Sequence, residues 1–214
     1  MLPAFLDRRY VTVDGTPMFV VYNPTEVPDA PRVMDFWRNL AVKAGLRGLF
    51  LVAERRRHDW DPRPFGFDAS MTIRLPPRRP DWVSWRQPVT KLRNKFKDWR
   101  RQPTVYQYES LIDVLIADAV PGIENYPCVI PNWDNTPRSG VNGLVLHQST
   151  PEAFRHQVRR ALQTVRDVPR EHRFVFIKSW NEWAEGNHLE PDQKWGRAYL
   201  NELRSALEDF NHDA

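Results

Sequence analysis

A short apolar run, Phe174-Val-Phe-Ile177, passes directly into Lys-Ser-Trp-Asn-Glu-Trp-Ala-Glu-Gly-Asn-His-Leu-Glu-Pro191. The run is β-branched and aromatic, which predicts a strand over 174–177 buried on both faces, as in a parallel sheet. Ligands bind beyond the carboxyl ends of such strands, so the carboxylates and indoles that follow stand where chemistry is expected. The rest of the chain alternates in the same way. Strands are expected at 10–13 and 18–22, joined through the hairpin signal Asp14-Gly15, and then at 48–52, 67–73 and 128–131. A helix is expected over 31–44, with Pro31 at its first turn, Val33, Phe36, Trp37, Leu40 and Ala44 inward, and Gly45 as its stop. Another starts at Thr150-Pro151 and repeats Phe154, Val158, Leu162 and Val165, and a last one runs from about Trp195 with Tyr199, Leu203 and Leu207 inward. Strands alternating with helices predict an α/β protein built on a parallel sheet.

Glu182 and Glu185 are three residues apart. On a helical turn their Cβ atoms would lie about 5–6 Å apart on one face. Cleavage or transfer at a glycosidic bond asks for such a pair, one group protonating the leaving oxygen and the other assisting at the anomeric carbon. Trp180 and Trp183 would offer apolar faces to sugar C–H bonds, and Asn181 and His188 hydrogen bonds to hydroxyls. The competing reading is a solvated acidic loop entering a helix, where carboxylates also favour the N-terminus. The aromatic content of the segment, and its poverty in Ser and Lys, weigh against that reading.

Ser179-Trp-Asn-Glu-Trp-Ala-Glu-Gly-Asn-His-Leu-Glu-Pro-Asp192, with Trp195-Gly-Arg-Ala-Tyr-Leu200, resembles the signature of the WbsX-type glycosyltransferases, also described as glycoside hydrolase family 99-like domains. Segments at 7–19, Trp37-Arg38, Ala44-Gly-Leu46, Gly66-Phe-Asp-Ala69, 106–109 and Asn132-Trp-Asp-Asn-Thr-Pro-Arg138 are similar to the same family in order. The resemblance implies a (β/α)8 TIM-barrel-like fold and work on cell-surface polysaccharide such as lipopolysaccharide O-antigen, as glycosyltransferase or retaining glycoside hydrolase. It places Glu185 as general acid/base, and Glu182 as the group that takes the proton from the sugar 2-hydroxyl so that this oxygen attacks the anomeric carbon. Trp180, Asn181, Trp183, His188 and Glu190, with Trp133, Asp134, Asn135 and Arg138, would line the sugar site, Arg138 meeting an anionic group. Asp68, Tyr106 and Tyr108 are further candidates. A whole barrel needs eight strands and about 250 residues. The chain has 214 residues and too few parallel strands. The expectation is therefore one domain over 1–214, the C-terminal half of a barrel, N-terminally incomplete, with the first hairpin as a decoration outside it.

Charge is uneven. Residues 54–101 hold fourteen Lys or Arg against six Asp or Glu, so this stretch carries +8 while the chain totals +4. It is rich in proline, interleaves Trp82, Trp85, Phe96 and Trp99 with the basic residues, and suggests a basic helix over 91–101. Three readings stay open for this excursion: a solvated rim, contact with an anionic membrane surface, or a phosphate-bearing partner such as a nucleotide sugar, with nucleic acid disfavoured. The alternative to an enzyme is accordingly a non-catalytic fragment or basic binding module. The single cysteine, Cys128, lies in a strand-like run and is expected to be a buried thiol. No histidine spacing suggests a metal site, no nucleotide-binding glycine loop suggests a cofactor, and none of either is expected. The absence of a long apolar run or leader pattern points to a cytoplasmic location, with peripheral contact to the inner membrane as the variant.

Overall fold

The computed structural model describes residues 1–55, 60–76, 102–116 and 122–212. Most of the basic excursion, including Arg56, Arg57, its four interleaved aromatics and the helix expected at 91–101, lies outside the described residues. The α-helices are α1 (Leu2–Phe5), α2 (Ala30–Lys43), α3 (Ile112–Leu115), α4 (Thr136–Ser139), α5 (Pro151–Thr164) and α6 (Ala198–His212). The strands are β1 (Thr12–Val13), β2 (Thr16–Val21), β3 (Phe50–Arg55), β4 (Ala69–Thr72), β5 (Thr104–Gln107), β6 (Asn125–Val129), β7 (Leu144–His147), β8 (Phe176–Ile177), β9 (Asn181–Glu182) and β10 (Asn187–His188). Two compact units share the chain. One comprises Met1–Ile73, Ala117–Cys128 and Thr164–Phe176, and the other Arg74–Ile116, Val129–Gln163 and Ile177–Ala214.

The main sheet runs in the order β1-β2-β3-β4-β6-β8. β2, β3, β4 and β6 pair in parallel, which requires the α/β alternation read from the sequence. Asp14 and Gly15 both take positive φ, 49° and 73°, as the hairpin between β1 and β2 demands. The hairpin is not an external decoration: β2 is an integral parallel partner of β3, and only β1 is an antiparallel addition. β3 runs three residues past its expected end, to Arg55, because 50–55 stays buried throughout its second half. Along it Leu51 and Ala53 pack against α2 with Met34 and Phe67, while Val52 joins Val13, Met18, Ala69, Met71, Tyr126 and Cys128 on the other side. Alternation within one strand thus feeds two apolar clusters. Cys128 is buried, as its setting implies.

Two helical faces differ from their expected ones. In α2 the buried residues are Ala30, Met34 and Ala41, while Phe36 and Leu40 face outward at 58% and 47% exposure. Val33 and Trp37, expected inward, are half-buried and pack against the same cluster as Met34 and Ala41, so the covered stripe is the expected one rotated about the helix axis away from Phe36 and Leu40. In α6 Tyr199, Ala206 and Phe210 are buried and Leu207 is exposed. In α5 the expected line of Phe154, Val158, Leu162 and Val165 is buried, and Thr150 Oγ1 caps the helix by accepting the Ala153 N–H at 3.2 Å.

The parallel pair β5 and β7, registered Thr104↔Leu144 to Gln107↔His147, is not among the expected strands; each run has only four residues, the least over which a period of two can be read. β8 is shorter than expected and only half-buried.

In the first unit His172 bridges two carboxylates. Its Nδ1 lies 2.8 Å from Glu124 Oε1 and its Nε2 2.9 Å from Asp14 Oδ2, with the Tyr126 hydroxyl also donating to Glu124. Burial opposes the imidazolium, but the hydrogen bonds to Asp14 and Glu124 outweigh it and raise the His172 pKa above 6.5. A raised histidine pKa contributes stability that is fully present below the unfolded value and lost as pH rises through the folded one. The urea midpoint is therefore expected to fall as pH is raised from about 6.5 upward through that raised value. In His172→Gln this component of the pH dependence should vanish, and an unchanged slope would refute the assignment.

Candidate functional site

The site is built on two segments of the second unit that leave the carboxyl ends of β6 and β8. After β6 the chain continues through Asn132, Trp133, Asp134 and Asn135 into α4, and after β8 through Lys178 into the hairpin β9–β10. Here the expected helical turn is absent. Glu182 lies on β9, which pairs antiparallel with β10 in the register Glu182↔Asn187 and Asn181↔His188, and Trp183–Glu185 is a single 3-10 turn. Glycine explains the tight return. Gly186 sits at φ 51°, and a Cβ there would stand 2.8 Å from Asp134 O and 3.0 Å from Asp134 N. That close approach allows Asp134 N–H to donate to Glu185 O at 2.9 Å.

Two buried asparagines fix the hairpin. Asn132 Oδ1 accepts the His188 N–H at 2.8 Å and its Nδ2 donates to His188 O at 3.1 Å. Asn187 Nδ2 donates to Asn132 O at 2.8 Å and Lys178 O at 2.9 Å. Ser179 Oγ donates to Asn187 O at 2.7 Å and accepts the Glu182 N–H at 3.1 Å. None of Asn132, Ser179 and Asn187 was singled out in the sequence reading. Their signal is only their place inside the motif, since a short polar side chain does not announce which backbone groups it will satisfy.

The Glu185 side chain, 19% exposed, lies between two cations. Arg138 Nη1 donates to Oε1 at 3.3 Å, and Lys178 Nζ stands 3.8 Å from Oε2. Lys178 Nζ also lies 5.4 Å from the centroid of the Trp133 ring. Lys178 is a further functional candidate that the sequence reading missed; a lone cation at the carboxyl end of an apolar strand was the available signal. Glu182 is half-buried on the same hairpin.

Directly paired residues share a face of a sheet and successive residues alternate. Glu182 and Asn187 therefore project to one face of the hairpin, and Asn181 and His188 to the other. Trp183 belongs with His188: their rings stack at 3.8 Å between centroids and 18° between planes. The Trp183 indole N–H donates to Glu190 Oε2 at 2.8 Å, and His188 Nε2 lies 3.0 Å from Asp192 Oδ2. Burial raises the Asp192 pKa, but the Trp195 N–H and the His188 ring outweigh it and the net shift is downward. Trp180 is half-exposed.

Other candidates have structural partners. Asn135 is buried, its Oδ1 accepting the Leu144 N–H at 2.7 Å, and Asp134 Oδ1 accepts from Thr136 N and Oγ1 at 2.9 and 2.6 Å, starting α4. Trp133 is 5% exposed. Tyr108 is fully buried, its hydroxyl donating to Ile130 O at 2.7 Å beside Gln157 Oε1 at 2.9 Å, which makes it a core residue. Burial raises its pKa well above 10, so the phenol stays protonated. Asp68 belongs to the first unit, where it accepts the Leu51 N–H at 2.7 Å and Arg38 Nη2 at 2.8 Å. Among the described residues, no group of His, Cys, Asp or Glu is placed to hold a metal ion. Among them, too, no helix is long and apolar enough to cross a membrane.

The family model described as glycosyltransferase WbsX matches residues 1–203. An uncharacterized protein, WxcX, of Xanthomonas campestris pv. campestris is 33% identical over 204 residues, which cover 93% of this chain and 28% of that protein. The chain thus spans less than a third of the length of this curated relative. A solved glycoside hydrolase-like protein superposes with a TM-score of 0.60 at 16% identity, over 95% of this chain and 57% of that one. A family 99 endo-α-mannosidase from Bacteroides thetaiotaomicron superposes with a TM-score of 0.52 at 15% identity, over 94% and 56% respectively. At these identities the likeness shows the fold, α/β and TIM-barrel-like, over rather more than half of each structure.

Replacing Gly186 by alanine should drive a methyl group into the Asp134 backbone and break the Asp134 to Glu185 bond. Asn187→Ala should remove the Nδ2 donor from the carbonyls of Asn132 and Lys178, at a cost of about 1–3 kcal/mol. Both variants are expected to melt below the parent in a thermal scan, and parent-like melting of Gly186→Ala would show that the hairpin does not sit against Asp134.

Proposed function

The chain belongs to the WbsX glycosyltransferase family, and from that premise we propose that it acts on glycosidic bonds of bacterial polysaccharide, lipopolysaccharide O-antigen being the expected context, with Glu182 and Glu185 as the reacting carboxylates. The observation that carries the reading is Glu185 held between Arg138 and Lys178 on a hairpin clamped to the segment after β6. A reacting carboxylate must be kept in place by neighbours, and these contacts do so through both of its oxygens.

In this mechanism Glu185 delivers a proton to the oxygen leaving the anomeric carbon and later takes one from the incoming hydroxyl or water. Glu182 draws the proton from the sugar 2-hydroxyl, whose oxygen closes on the anomeric carbon as the leaving group departs, and opening of that ring by the acceptor, with Glu182 returning the proton to the 2-oxygen, gives net retention. Water as acceptor makes the reaction hydrolysis, and a sugar hydroxyl makes it transfer. Arg138 and Lys178 steady the Glu185 carboxylate and offer positive charge to an anionic group on the donor, a nucleotide sugar in the case of a transferase. Trp180 supplies an apolar face to the sugar.

Glu185→Gln should lower kcat by about 10²- to 10⁴-fold with little change in KM, the range typical of a lost general acid/base. Assays would use α-mannosides for hydrolysis and nucleotide sugars with a glycan acceptor for transfer. Product formed only when a nucleotide sugar is present identifies a transferase, and turnover without it a hydrolase. A Glu185→Gln protein as active as the parent would overturn the assignment.

A further inference from the structure

The face of the hairpin opposite Glu182 carries an aromatic surface with one side already covered. His188 stacks under Trp183, Glu190 holds the indole N–H and Asp192 holds His188. Despite these contacts Trp183 remains 49% exposed. Beside it opens a cleft of about 740 Å³ lined by Trp183, His188, Pro191, Asp192, Gln193 and Lys194. The packing of the indole is therefore one-sided, which a purely structural tryptophan does not require.

We propose that this cleft is a second glycan subsite, in which a pyranose unit remote from the reacting bond lies on the free face of Trp183. This rests on the function proposed above and adds where the rest of the polysaccharide goes. Sugar rings present patches of C–H to an aromatic face while their hydroxyls point sideways, so a useful site combines a flat apolar floor with a polar rim. Gln193 and Lys194, both exposed, and the carboxylate of Asp192 supply that rim. The Lys194 ammonium stands 4.8 Å from the centroid of the Trp195 ring, a contact that restrains it at the rim while its hydrogens remain available to hydroxyls. Because Trp183 is clamped at one face and at its N–H, little side-chain freedom is lost when a sugar settles on it. His188 has a buried Nδ1 with no partner among the described residues, so the ring's orientation depends on the stack and on Asp192.

The test is titration calorimetry with manno-, gluco- and galacto-oligosaccharides graded from disaccharide to hexasaccharide, against the parent chain, Glu185→Gln, Trp183→Ala, Gln193→Ala and Lys194→Ala. In at least one series the parent should bind the long members about tenfold more tightly than the disaccharide, the gain of one stacked ring. Trp183→Ala should lose that gain. Lys194→Ala and Gln193→Ala, surface changes that leave the stack in place, should lose about threefold for the long members and nothing for the disaccharide. Length-independent binding by the parent, or rim variants that bind every oligosaccharide as the parent does, would overturn the subsite and leave the reaction at Glu185 untouched. If the parent binds no saccharide of any length, the functional reading falls and the subsite with it.

Discussion

The side chain of Asn132 takes the place of a missing strand. Hairpins as short as β9–β10 are not stable alone, and this one has four residues in its ladder. Asn132 compensates by pairing with both the N–H and the C=O of His188, as a neighbouring peptide group would. Its own carbonyl is engaged by Asn187, which also reaches back to Lys178 at the exit of β8. Hydrogen bonds between buried groups have no competing water, so removing one partner strands the other. The positions of Glu182, Glu185 and Trp183 all follow from this small network, because each sits on the backbone that it clamps.

The sequence carried the α/β alternation, and with it the carboxyl ends of β6 and β8 as the place proposed for chemistry. Asp14-Gly15 dictated its turn because two consecutive positive φ angles suit few other pairs. What periodicity could not supply was the edge of the covered face on α2, where Val33 and Trp37 pack inward as expected and Phe36 and Leu40 do not. Phe36 and Leu40 are as apolar as Met34 and Ala41, and only the contacts of Leu51 and Ala53 decide which stripe is covered. β5 escaped for a related reason. Its burial alternates too weakly for a pattern, and its identity as a strand rests on β7, forty residues away.

Within the candidate site, the carboxylates proposed to react stand out in the sequence and their geometry does not. A three-residue spacing favours one face only if the backbone is helical, and the close approach of Gly186 to Asp134 selects a hairpin with a 3-10 turn instead. Spacing is local information, whereas that approach joins residues fifty-two apart. Lys178 was overlooked for the same reason: its value lies in standing 3.8 Å from Glu185, seven positions further along the chain. Tyr108 shows the opposite error, an aromatic near a family-like segment whose hydroxyl is committed to the core.

A hairpin has two faces, and this motif is dense enough to furnish both. Had the segment been the helix that its spacing suggests, Glu182 and Glu185 would share a side and the indole between them would point elsewhere without support. On the hairpin, the register that puts Glu182 beside Asn187 also puts His188 beside Asn181, and His188 then becomes the floor on which Trp183 lies. The same few backbone hydrogen bonds thus orient the proposed reacting group and the aromatic surface together. That coupling gives a physical reason for the motif to extend past its second carboxylate through Asn187, His188, Glu190 and Asp192. Each of these side chains holds either the hairpin or the tryptophan, so a change at Asn187 reaches both faces, whereas one at Glu190 or Asp192 reaches the aromatic face first.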